Sequence, residues 1–135
     1  VGDVSITDTT SYTRAEIGDG CTVTNWTQHG GRAWIYAAGT ITAVDVHGGE
    51  LRLEGVRTVT TLTLYGGTVY ANNSPSSGSA ITTATLDAGT LDGSESSESR
   101  TWGTVTVRSG STLVVPEDVT ITTLTLTGTL TVAFS

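Results

Sequence analysis

Two histidines stand at the same place in a repeated phrase, His29 before Gly30-Gly31 and His47 before Gly48-Gly49. Imidazole is a common metal ligand, and a repeat that stacks two of them is able to grip an ion. Two ligands are too few for a tight site, and the neighbouring copies of that position offer no acid. The competing expectation is a solvent-facing ladder of stacked rings. Paired carboxylates cleave glycosides when they face each other across a groove. Asp45 and Glu50 flank one Gly corner, and Asp87 and Asp92 flank another. Flanking a corner places the two members on different faces, so surface charge balance is expected of them. The chain has no Ser–His–Asp constellation, no phosphate loop and no Cys–His metal spacing. The expectation is a non-enzymatic protein without metal or cofactor.

Three further residues share one position in successive units: Trp34, Arg52 and Tyr70, continued by Asp92, Val114 and Thr131. Trp, Arg and Tyr are the types that anchor interfaces, and an outward stripe of them marks a partner surface. The plain alternative tucks Trp34 and Tyr70 against loops. Tyr36 and Tyr65 join Trp34 and Tyr70 as possible stacking surfaces for a glycan. Near the N-terminus, Val4, Ile6 and Tyr12 are candidate partner contacts. A last pattern is Thr-x-Thr on four successive units: Thr61 and Thr63, Thr83 and Thr85, Thr104 and Thr106, Thr123 and Thr125.

The elements that position these residues follow from repeats and composition. Val59-Thr-Thr-Leu-Thr-Leu-Tyr-Gly-Gly-Thr-Val69 recurs as Ile41-Thr-Ala-Val-Asp-Val-His-Gly-Gly-Glu-Leu51 and Ile81-Thr-Thr-Ala-Thr-Leu-Asp-Ala-Gly-Thr-Leu91. Shorter copies start at Trp102 and Ile121, and a degenerate one at Val23. The starts at 23, 41, 59, 81, 102 and 121 are spaced 18, 18, 22, 21 and 19 residues apart. Each unit holds two alternating runs, the strand signal, joined by a Gly corner. A unit this short buries its apolar face only by stacking on its neighbours. Among 135 residues, 29 are Thr and 17 Gly, with Met and Lys absent, which suits pleated surfaces and excludes helical bundles. The expected fold is all-β, a single-domain parallel β-helix (β-solenoid) of about six rungs roughly 4.8 Å apart. It covers residues 21–135, and residues 1–20, which do not fit the register, form a cap or an arm.

The predicted inward columns are Trp26, Val44, Leu62, Ala84, Val105 and Leu124; Gln28, Val46, Leu64, Leu86, Val107 and Leu126; and Ala33, Leu51, Val69, Leu91, Leu113 and Leu130. Polar Gln28 suits an end rung, where the core is thinnest. The extra residues of longer units fall at 72–79, at 93–99 and around 116–118, and are expected as exposed loops. The first strand of each unit bends between its first and third positions.

Charge and hydropathy narrow the function. Net charge is −7, and the six cations, all Arg, are scattered, which argues against a nucleic-acid surface. No apolar run approaches a membrane span, and the opening residues show no signal-peptide pattern. The single Cys21 forms no internal disulfide. A leading Val with no Met is compatible with loss of an initiator Met and a cytosolic product, though a processed fragment looks the same.

The Thr-x-Thr columns resemble the ice-binding face of insect β-solenoid antifreeze proteins, but the array fails at Ala43 and Asp45. The Ile-Thr-Thr-Leu-Thr-Leu-x-Gly-Gly-Thr-Leu phrase, over roughly residues 23–132, resembles repeats of small β-helical phage virion proteins: tail spikes, fibre segments and capsid decoration proteins. Bacterial adhesins use similar rungs. Among the phage roles, a short prism fits a decoration or cement protein. That resemblance implies a trimer on the capsid surface, made in the host cytoplasm, that bridges adjacent major capsid subunits. The alternatives are a glycan- or receptor-binding fibre or adhesin segment and an ice-binding protein.

Overall fold

The computed structural model describes residues 2–7, 14–18, 22–36, 39–54, 56–71, 80–94 and 99–133. Tyr12, Cys21 and residues 72–79 and 95–98, where loops are expected, lie outside them. Fourteen strands follow in order: β1 (Asp3–Ile6), β2 (Arg14–Ile17), β3 (Asn25–Gln28), β4 (Arg32–Ile35), β5 (Gly39–Val46), β6 (Glu50–Leu53) and β7 (Val56–Leu64). Then come β8 (Thr68–Tyr70), β9 (Ala80–Leu86), β10 (Gly89–Asp92), β11 (Arg100–Val107), β12 (Ser111–Pro116), β13 (Val119–Leu126) and β14 (Thr129–Ala133). The odd strands form one seven-stranded sheet and the even strands another, both in sequence order, and every pairing is parallel. This is the expected β-solenoid, one odd and one even strand per layer.

The register reproduces the three inward columns. Trp26, Val44, Leu62, Ala84, Val105 and Leu124 pair in succession. So do Ala33, Leu51, Val69, Leu91, Leu113 and Leu130 on the second sheet. Alternation sends one side of each strand into the core and the other to solvent. The long strands break this rule once. Ile41 pairs with Val59 and Ala43 with Thr61, while Thr42 and Thr60 between them are skipped. Ile41 and Val44, three residues apart, are consequently both buried. The strand therefore turns a corner there, with Thr42, Thr60 and Thr82 exposed on the outside. Each long strand covers two sides of a prism and each short strand the third.

The Gly corner has a tighter cause. Gly49, Gly67 and Gly89 have φ of 82°, 78° and 90°, where a side chain is strained. The layers also approach so closely that a Cβ on Gly67 falls 2.5 Å from the Gly49 carbonyl oxygen. Glycine meets both demands.

Three expectations need correction. Within residues 1–20 the described strands join the register rather than stand outside it: β1 pairs with β3 from Asp3↔Asn25 to Ile6↔Gln28, and β2 pairs with β4 from Arg14↔Arg32 to Ile17↔Ile35. β1 and β2 are thus the first strands of the two sheets. Gln28 is accordingly not at an end; it is fully buried. Its Oε1 accepts from Trp26 Nε1 at 3.2 Å, and its Nε2 donates to the Gly31 and Glu50 carbonyls at 3.2 and 3.1 Å. A core polar group survives because each of its atoms is bonded. Pro116 is not in an exposed loop either. It ends β12 and is buried, and a Cβ on Gly93 would touch both its ring and Trp102.

Candidate functional site

Three outward features carry the chemistry-bearing side chains. The first is the corner column at the end of the long strands. His29 and His47 stack with centroids 4.5 Å apart and planes 14° apart, and His47 stacks on Tyr65 at 4.5 Å and 10°. Parallel rings point their nitrogens alongside each other rather than at a shared point, so this geometry suits a ring ladder and not a metal clamp. Among the described residues no three of His, Cys, Asp and Glu gather as a metal group. The next two layers continue the column with Asp87, whose Oδ1 accepts a hydrogen bond from Arg108 Nη1.

The carboxylate pairs separate as their spacing implies. Asp45 lies on β5 and Glu50 on β6, in different sheets. Asp87 follows β9, and Asp92 ends β10, accepting from the Ser94 N–H at 2.8 Å.

The second feature is the outer face of the first sheet. The register aligns Asn25, Ala43, Thr61, Thr83, Thr104 and Thr123 in one column, and Thr27, Asp45, Thr63, Thr85, Thr106 and Thr125 in the next. On four consecutive strands the array is all threonine and uncharged.

The third feature is the outer face of the second sheet. Trp34, Arg52, Tyr70, Asp92, Val114 and Thr131 pair in that order. Strand alternation adds Arg32 and Tyr36 beside Trp34, and Glu50 and Glu54 beside Arg52. The Arg52 guanidinium lies 4.3 Å from the Tyr70 ring centroid. Its Nε donates to Glu50 Oε1 at 2.9 Å, its Nη1 stands 4.0 Å from Glu54, and Arg32 Nε is 3.9 Å from Glu50. A ring below and acids on both sides hold the guanidinium in place, with Arg52 one quarter exposed. Such stacking contributes about 0.5–2 kcal/mol. Trp34 and Tyr70 are half-buried and Tyr36 is 42% exposed.

The structure thus brings Trp34, Tyr36, Arg52 and Tyr70 onto one face. It leaves Tyr65 on the corner ladder, away from that face. Val4 pairs with Trp26 and packs on the core; Ile6 pairs with Gln28, its side chain outside the described atoms. The acids that orient Arg52 were missed from sequence, although Glu50-Leu51-Arg52-Leu53-Glu54 announces them by its strict alternation.

No family profile, curated protein or solved structure matches the chain. Among the described residues, no helix is long and apolar enough to cross a membrane.

Proposed function

We propose that the chain is a non-enzymatic structural protein of a virion, a capsid decoration or cement protein that bridges neighbouring major capsid subunits, with trimers as its assembled form. The observation that carries the reading is the prebuilt face on the second sheet: Arg52 held over Tyr70 by flanking acids, with Trp34 on the same stripe. A side chain fixed before binding loses less entropy on docking, so such a face suits protein contact. The stacked layers supply a stiff body to bear load, and the repeat phrase resembles those of β-helical virion proteins. The test is particle stability. Virions lacking the protein lose resistance to heat and to chelators, and added pure protein restores it; a protein that never co-purifies with a particle contradicts the proposal.

One other reading has its own support. The register aligns the four Thr-x-Thr pairs in a regular, uncharged array, which is part of what an ice surface requires. Thermal hysteresis at millimolar concentration decides for it, and its absence removes it. Glycan-array binding that depends on Trp34, Tyr36 and Tyr70 favours the fibre or adhesin alternative instead.

A further inference from the structure

Two neighbouring strands on the outer face of the second sheet carry rows that complement each other. Along β4 and the residue after it the outward row is Arg32, Trp34, Tyr36; along β6 and the residue after it the row is Glu50, Arg52, Glu54. The register sets Arg32 beside Glu50 and Trp34 beside Arg52. Within the sheet Arg32 Nε stands 3.9 Å from Glu50, and Arg52 Nε donates to Glu50 at 2.9 Å. The Arg32 side chain is still 56% exposed and Tyr36 42%, so the β4 row has surface left to cover.

Charge says what can cover it. A chain of net charge −7 repels its own copy at most surfaces. Residues 14–18, 32–36, 50–54 and 68–70, the stretches that hold β2, β4, β6 and β8, contain three Arg and three Glu and so carry no net charge. Their order is also self-complementary. A two-fold axis parallel to the strands and passing between β4 and β6 lays this face on a second copy, strand along strand, at the usual sheet spacing of about 10 Å. Arg32 then meets Glu50 of the second copy, Trp34 meets its Arg52 and Tyr36 meets its Glu54, each pair occurring twice. β2 lies over β8, which sets Glu16 against Tyr70. Other two-folds do worse: an axis through β4 or β6 puts Arg32 on Arg32 or Arg52 on Arg52, and one along the prism puts Glu50 on Glu54. Four strands overlap, a patch of roughly 19 Å by 16 Å, which lies at the small, transient end of protein interfaces.

We propose that, off the particle, this face is covered by a second copy of the chain in a weak two-fold dimer, which opens before the face docks elsewhere. The inference rests on the reading of this face as a protein contact and names its occupant in the free chain. Arg52, already oriented by Tyr70 and its flanking acids, is the side chain each copy lays against Trp34 of the other.

Sedimentation of the pure chain at rising concentration tests it, with charge reversals. The expected result is a monomer–dimer equilibrium. Arg32→Glu and, separately, Glu50→Arg weaken the dimer about tenfold or more, because each sets like charges together twice across the axis. An equal mixture of the two variants dimerises again, since both cross-axis pairs are then opposite in sign. Thr112→Glu, on the same sheet but outside the overlap, leaves the dimer as it was. Where Glu50→Arg fails to fold, the contrast between Arg32→Glu and Thr112→Glu still decides. A chain that stays monomeric at every concentration overturns the proposal, as does a mixture no more dimeric than its parts or an equal effect of Arg32→Glu and Thr112→Glu. The capsid reading fails separately: a dimer that obeys these rules in a chain that virions never take up upholds the dimer and refutes the capsid role, and saturable uptake of a chain that never dimerises does the reverse.

Discussion

Gln28 sits where leucine or valine fills the same column in later layers, and its three hydrogen bonds tie Trp26, the Gly corner at Gly31 and the start of β6 together. Gln28→Leu keeps the volume but strands the Trp26 N–H and takes one donor each from the Gly31 and Glu50 carbonyls, of which Gly31 keeps the Glu50 N–H, so it lowers stability by about 1–3 kcal/mol in urea unfolding. A single polar letter in an apolar column was legible in the sequence; its place one layer inside the stack was not, because β1 carries no Gly-Gly phrase to reveal its register. The glycines separate two effects. Gly67 and Gly110 both have positive φ, but a Cβ meets a carbonyl oxygen at 2.5 Å in the first and nothing within 4 Å in the second. Gly67→Ala therefore costs more than Gly110→Ala, by about 1–3 kcal/mol, since overpacking adds to the backbone strain they share. Equal losses in the two variants contradict a close-approach role for this corner.

At the scale of the element, the same side chain has different worth by layer. Leu62 is fully buried on β7, while Leu126 on β13 is 42% exposed. Leu62→Ala costs about 2–5 kcal/mol, and Leu126→Ala costs less than about half of that. The strands and their faces were largely legible, since period-two alternation and a fixed phrase dictate which residues point inward. Two things were not. The corner within each long strand breaks the alternation at Thr42, Thr60 and Thr82, which a column model places ambiguously. The buried position of Pro116 comes from its contact with the Gly93 region of the layer before, a relation between layers that no local pattern encodes.

As a whole molecule the chain is a stack in which each layer touches chiefly its neighbours, so stability grows by addition along the axis. Its chemistry-bearing residues lie on the outside: a ring ladder at one corner, a threonine array on one side, and an oriented arginine between aromatics on another. The column Trp34, Arg52 and Tyr70 was legible from spacing alone; the acids that fix Arg52 emerged with the fold. If that face binds a partner, Arg52→Lys weakens attachment about tenfold or more, since lysine keeps the charge but loses the flat stack on Tyr70. The most direct measurement of the central claim is saturation binding of the purified chain to virions stripped of it, counted per major capsid subunit. The account predicts a plateau at a fixed ratio and an affinity that falls at least tenfold in Trp34→Ala and in Tyr70→Ala. Uptake that never saturates, or the same plateau and affinity in both variants, contradicts it.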